Sequence, residues 1–103
     1  MDKVYFIMID EWVDAHCSTQ IRGIHATLDG AKNEFQEVVK NMTDTFLFNE
    51  TGIAAADITP EDIKELNINP GMTVTHSDGT LSFYMAAQDS TLYIHIFERA
   101  LLV

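Results

Sequence analysis

The chain has 103 residues, of which 47% are hydrophobic and 10% are aromatic. This composition excludes an acidic disordered tail, because disorder requires low hydrophobicity together with high charge. The length predicts a single domain that covers residues 1–103. Sixteen Asp and Glu residues stand against six Lys and Arg residues, which gives a formal net charge of −10. This charge argues against direct binding of nucleic acid and of an anionic membrane surface, since both attract clustered Lys and Arg.

The cysteine content and the N-terminal segment favour a reducing compartment. Cys17 is the single cysteine, so the chain cannot form an intramolecular disulfide. The first apolar run, residues 4–9, is shorter than the apolar region of a signal peptide. No segment of the sequence approaches the roughly 20 consecutive apolar residues that a membrane-spanning helix needs. We therefore expect a soluble, cytoplasmic protein.

The chain begins with a pattern typical of two strands. Residues 3–13 are rich in β-branched and aromatic side chains, and apolar residues occupy both alternating faces. Such a strand is usually central in its sheet and covered on both faces. A turn is predicted at residues 14–18, and a second strand follows over about 19–27. Gly23, inside the second strand, indicates a β-bulge or a close approach of the backbone to another element.

The middle of the sequence carries the strongest helical signal. Six apolar residues recur at helical spacing within an arc of about 100°, the width of a stripe that faces a core. They are Ala31, Phe35, Val38, Val39, Met42 and Phe46. Thr27 or Asp29 is placed to cap the first turn. The pattern predicts a helix over residues 29–47.

A second, shorter helix is predicted from its start signal. Residues 49–57 carry no clear pattern, because Gly52 interrupts them. Thr59 followed by Pro60 is typical of a helix start, and the helix is expected to end before Asn67.

The last third of the chain predicts a meander of three strands. They cover about residues 73–77, 80–87 and 91–100, and Asp78-Gly79 is a two-residue hairpin turn. The whole order is ββ-α-(short α)-βββ. This order predicts an α+β domain with a mostly antiparallel sheet and the long helix packed on one face.

The two N-terminal strands and the start of the long helix form one continuous pattern. It consists of Val4-Tyr5-Phe6-Ile7, then Ile21-x-Gly23-Ile24-x-x-Thr27, and then a helix that contains Ala31. In this pattern, over about residues 1–45, the chain resembles small uncharacterised proteins of bacteria and their prophages. The resemblance implies a bacterial or phage source, and it brings no activity and no functional residue with it.

Residue types that could carry chemistry occur without the spacing that the chemistry requires. The four His residues and Cys17 show no C-x-x-C, H-x-x-x-H or H-E-x-x-H spacing, so no zinc site is indicated. A reactive cysteine needs positive neighbours that stabilise the thiolate, whereas Asp10, Glu11 and Asp14 precede Cys17. We therefore predict no catalytic residue, no metal site and no cofactor.

The excess of acidic residues is the sequence feature that departs most from an ordinary globular protein. Residues 41–91 contain eight acids and one base, Lys64. One interpretation is solubility, because a net charge away from zero prevents association. The other is docking on a basic partner protein, for which six carboxylates are candidates. They are Asp44, Glu50, Asp57, Glu61, Asp62 and Glu65.

Two functions follow from these patterns. The first is a small, non-enzymatic interaction or inhibitor protein that acts through its acidic surface. The alternative is a small-molecule binding module or enzyme that uses a pocket between the helix and the sheet. A convex acidic surface favours the first, and a concave pocket with converging polar groups favours the second.

The apolar strands also predict self-association. The long helix covers one face of the sheet, and the short helix is too short to cover the other. We expect a homodimer that forms through the uncovered face or through an edge strand. The candidate contacts are Trp12 and the tail Leu101, Leu102 and Val103.

Overall fold

The structure is a computed structural model that describes residues 2–100. It confirms the α+β class and the order ββ-α-α-βββ. The elements are β1 (Lys3–Val13), β2 (His16–His25), α1 (Leu28–Thr51), a 3₁₀ turn (Ala55–Asp57), α2 (Pro60–Glu65), β3 (Asn69–Thr75), β4 (Leu81–Ala86) and β5 (Ser90–Ala100).

The five strands form one antiparallel sheet in the order β2-β1-β5-β4-β3. The first and last strands of the chain are therefore neighbours, with Ile7 opposite Ile96 and Ile9 opposite Ile94. β1 lies between two strands, as its apolar pattern predicts. Its two faces differ, however, because α1 covers only one of them.

Helix α1 begins and ends at side-chain and backbone caps. The Thr27 hydroxyl accepts a hydrogen bond from the Gly30 N–H at 3.1 Å, so Thr27 rather than Asp29 is the N-cap. Gly52 adopts a left-handed conformation and donates its N–H to the Phe48 carbonyl at 2.8 Å. The helix ends four residues later than the apolar stripe predicts, because a left-handed C-cap stops it rather than the loss of apolar residues.

The core lies between α1 and one face of the sheet. From the helix, Ala31, Phe35, Val38 and Phe46 are buried, while the partly buried Val39 and Met42 pack at its margin. From the sheet, the buried apolar residues of the helix-covered face are Ile7, Ile9, Phe83, Met85, Leu92, Ile94 and Ile96. Neither α1 nor α2 is long and apolar enough to cross a membrane, and these are the α-helices of the described chain.

Two strands start earlier than the sequence predicts. The β1–β2 turn consists of Asp14 and Ala15 alone, both at positive φ (48° and 71°), so β2 begins at His16. β3 begins at Asn69 and passes Pro70 and Gly71 through an irregular register before regular pairing resumes. Alanine rarely adopts positive φ, and Pro-Gly typically interrupts a strand. The early starts of β2 and β3 therefore cannot be predicted from the sequence.

Candidate functional site

The sheet face opposite α1 is covered by no element of residues 2–100; we refer to it as the open face. Alternating side chains of all five strands form it, as the pairing registers require. Its large apolar members are Phe6, Met8, Trp12, Ile21, Ile24, Met72, Val74, Tyr84, Tyr93 and Phe97. Trp12 is 51% exposed and Ile21 is 60% exposed. Large apolar side chains at this exposure, on one continuous face, are typical of an interaction surface.

Side chains that stack along β5 restrict one another's conformations at the centre of the open face. The rings of Tyr93 and His95 stack with centroids 4.6 Å apart, and His95 meets Phe97 edge-on at 6.5 Å. The Arg99 guanidinium lies over the Phe97 ring, 4.8 Å from its centroid. Rings held in this way lose little side-chain entropy when a partner covers them.

Among residues 2–100, the open face carries two charged groups, Asp10 and Arg99. Asp10 accepts a hydrogen bond from the Thr19 hydroxyl at 2.7 Å, and its other oxygen lies 3.5 Å from His95 Nε2. Arg99 has no carboxylate within 4 Å among the described residues. With His neutral, the open face has no net charge on a molecule of net charge −10.

Two shallow hollows divide the open face. One, of about 370 Å³, lies among Phe6, Met8, Ile21, Phe97 and Arg99. The other, of about 360 Å³, is lined by Asp10, Trp12, Cys17, Tyr84, Thr91 and Tyr93. Both are wide enough to receive an apolar side chain from a partner.

The six candidate carboxylates lie on the other side of the molecule, on α1, the 3₁₀ turn and α2. We refer to this α1–α2 side as the acidic side. Asp44, Asp57, Glu61 and Glu65 are exposed. No candidate forms an ion pair with Lys, Arg or His in the part of the chain that the structure describes. α2 joins this side because its Ile63 packs against the core under α1. Trp12 and the acidic candidates are thus on opposite sides.

Asp62 has a local structural role. The Thr59 hydroxyl accepts from the Asp62 N–H at 3.2 Å, and the Asp62 carboxylate accepts from the Thr59 N–H at 3.0 Å. This reciprocal pair is a capping box that satisfies two helix-end donors of α2. A carboxylate engaged in this way stabilises its own helix and is a weaker candidate for a partner.

Glu50 lines an acidic cleft, together with three carboxylates that are not among the six candidates. Glu11, Asp14 and Asp89 line the same cleft of about 270 Å³, where the last turns of α1 pass the end of β1 and the start of β5. The Asp14 N–H donates to the Asp89 carbonyl at 3.2 Å and so joins the two turns. In the sequence, Asp14 and Asp89 are simply acids in two separate turns. Their proximity can be inferred only once β1 and β5 are known to pair.

The histidines and the cysteine are distributed over separate places. His25 Nε2 lies 2.5 Å from Glu34 of α1, His76 contacts the Ser82 hydroxyl, and His95 faces Asp10. Cys17 is exposed on the open face, opposite Trp12 in the register. Among residues 2–100, no three His, Cys, Asp or Glu side chains come together in a way that could hold a metal ion.

The predicted dimer contacts are only partly within the described chain. Trp12 lies on the open face, whereas Leu101, Leu102 and Val103 lie outside the described residues. No family model, no curated protein and no solved structure matches this chain. The fold and its surfaces indicate a small α+β protein that exposes an acidic side and, opposite to it, an apolar face without net charge.

Proposed function

We propose that this chain is a small, non-enzymatic interaction or inhibitor protein that docks on a basic surface of a partner protein. The observation that carries this proposal is the set of exposed carboxylates on the α1–α2 side, none of which forms an ion pair with a cation of the described chain. Such a surface attracts a positively charged protein and raises the rate of its association. A basic nucleic-acid-binding surface could be blocked in this way, with carboxylates in the positions of phosphates.

The acidic cleft adds a specific feature to this surface. Its volume of about 270 Å³ is below the range of about 300–1,000 Å³ of typical small-molecule sites. Its four carboxylates suit a Lys or Arg side chain, which would be desolvated by Met42 and Phe46 at the cleft wall. We infer that one basic side chain of the partner enters this cleft.

The origin and location belong to the same proposal. The resemblance of the N-terminal strands and helix start supports a bacterial or phage source. A single, exposed cysteine and the absence of a membrane-spanning helix from the described chain are compatible with a cytoplasmic protein.

Affinity capture with matched charge variants tests the acidic side. The immobilised wild-type protein is exposed to a bacterial lysate at low and moderate salt, alongside the double variants Glu61→Gln/Glu65→Gln and Asp2→Asn/Glu98→Gln. Both double variants remove two negative charges, but only the first removes them from α2. We expect the wild type and the second variant to retain the same basic protein, and the first to lose most of it. Equal retention by all three would mean that the acids only confer solubility.

A small-molecule function remains the second candidate, because the acidic cleft lies between the helix and the sheet as that hypothesis requires. The ligand would be a small cation. Titration of the protein with spermidine, followed by NMR shifts of the Glu11, Asp14, Glu50 and Asp89 carboxyl groups, tests it. Saturable shifts at micromolar spermidine, abolished in Glu50→Gln, would favour the small-molecule function over protein docking.

A further inference from the structure

We propose that the open face is occupied by a second copy of this chain, in a closed two-fold dimer with sheet packed against sheet. The inference is independent of the acidic side, which lies on the opposite surface. It rests on the size of the open face, on its lack of net charge and on the positions of its two charged groups.

The area of the open face matches what a stable dimer buries. Five strands spaced about 4.8 Å apart, with about 3.4 Å per residue along them, give a face of about 600–700 Å². Two copies would bury about 1,200–1,400 Å², within the lower part of the range for specific interfaces. Left uncovered, an apolar face of this size would be unusual on a monomer.

Charge favours a second copy over a basic partner at this face. The net charge of −10 opposes every approach of two copies except one that keeps the carboxylates apart. Packing the open faces together does so, because the acidic α1–α2 sides then point outward. A basic partner would find no net negative charge on the open face to attract it.

The positions of Asp10 and Arg99 select one orientation. Asp10 lies opposite Tyr93, and Arg99 lies opposite Val4, so the two charges are six residues apart on neighbouring strands. That separation is about 20 Å, well beyond the Debye length of about 8 Å at physiological salt, so they interact little within one copy.

A two-fold axis that runs across the strands brings these charges together. It places Asp10 of one copy over the end of the sheet that carries Arg99 of the other copy, and symmetry forms the pair twice. An axis along the strands would instead place Arg99, on the central strand β5, against its own copy. We infer the first orientation, in which Asp10 and Arg99 define the register of the dimer.

The dimer presents two acidic sides in opposite directions. If the proposed docking function also holds, each dimer binds two basic partner molecules, one on each acidic side. The dimer itself does not depend on that function, and variants of the open face test it separately.

Light scattering at several hundred micromolar concentration, where the dimer should predominate, tests the face with matched variants. Ile21→Asp places a charge on the open face, and Phe48→Asp places one on α1 at a similar exposure, 60% against 54%. We expect the wild type and Phe48→Asp to have twice the mass of 11.6 kDa. Ile21→Asp should weaken the dimer on the order of 100-fold, because its carboxylate would be buried without a partner. Circular dichroism confirms that both variants are folded.

Charge reversal tests the register. Asp10→Arg and Arg99→Asp should each weaken the dimer at least about tenfold, and the double variant should return to within about threefold of the wild type. Asp10→Arg also makes each copy less negative, so a change in general repulsion alone would strengthen that dimer. The proposal would be overturned by a monomeric wild type or by dimers of equal strength in Ile21→Asp and Phe48→Asp. It would also be overturned if the effects of Asp10→Arg and Arg99→Asp were additive in the double variant. Additive effects would indicate another orientation or pairing through an edge strand.

Discussion

At the scale of single residues, Gly23 shows why one position of β2 accepts no side chain. Its φ of +71° is in the left-handed region, and the register of β1 and β2 shifts beside it, between Phe6 and Ile7. A Cβ atom at Gly23 would collide with the Glu34 carboxylate, which faces His25 at 2.5 Å. The bulge therefore lets α1 approach β2 and form a polar contact across the edge of the core.

Replacing Gly23 by alanine should cost more stability than replacing Gly52. Both glycines have a φ of +71°, but nothing lies within 4 Å of a Cβ atom at Gly52. Gly52→Ala should cost about 1 kcal/mol of conformational strain, and Gly23→Ala about 2–3 kcal/mol, because Glu34 must also move. Urea unfolding of both variants measures the difference. Equal losses would show that Glu34 moves away at no cost.

The β3–β4 turn contains a carboxylate with a shifted pKa. Hydrogen bonds from the Thr80 hydroxyl, at 2.6 Å, and from the Thr80 N–H, at 2.9 Å, hold the pKa of Asp78 below its ordinary value of 3.8. Because the folded pKa is lowered, the contribution of Asp78 to stability is present above that ordinary value. It is lost as the pH falls through the folded pKa.

The Thr80 hydroxyl is the main cause of this shift, and its removal should reverse most of it. In Thr80→Ala we expect the pKa of Asp78 to rise toward its ordinary value. In Thr80→Ser, which keeps the hydroxyl, the pKa of Asp78 should stay low. Carboxyl ¹³C shifts recorded between pH 2 and pH 6 measure both values. An unchanged Asp78 pKa in Thr80→Ala would assign the shift to the backbone N–H.

At the scale of elements, α1 is a helix because of its apolar stripe and its caps. Only some of its apolar side chains are buried in the core. Phe35 is 2% exposed, whereas Phe48, thirteen residues later on the same helix, is 54% exposed. Phe35→Ala should therefore cost about 3–5 kcal/mol of unfolding free energy, because it leaves a cavity. Phe48→Ala should cost less than about 1 kcal/mol. Chemical denaturation decides, and similar losses would contradict the packing of α1 on the sheet.

The type and order of the elements could be predicted because each one has a local signal. The stripe of α1, the Thr59-Pro60 start of α2 and the Asp78-Gly79 turn are all readable from neighbouring residues. The start of β2 cannot be predicted from neighbouring residues, because Ala15 adopts positive φ only within a turn that tertiary pairing stabilises. The end of α1 at Thr51 was missed for a related reason, since residues 48–51 extend beyond the apolar stripe as an exposed or half-buried turn.

At the scale of the whole molecule, the structure separates charge from apolar surface. The sequence could predict an uncovered sheet face that includes Trp12, because the short helix cannot span it. It could not predict the acidic cleft, because Glu11, Asp14, Glu50 and Asp89 come together only through the pairing of β1 with β5. Nor could it show that the open face is free of net charge, since this depends on the register of all five strands.

The central claim is that two copies associate through the open face while their acidic sides point outward. Methyl NMR during dilution tests this claim most directly, because methionine and isoleucine methyl groups occur on both sides of the sheet. On dilution from millimolar to low micromolar concentration, we expect the methyl signals of Met8, Ile21 and Met72, on the open face, to shift together. The signals of Ile9 and Ile94, in the core under α1, should move little. Shifts confined to α1 or α2 methyl groups, or no shifts with a mass of 11.6 kDa throughout, would contradict the account.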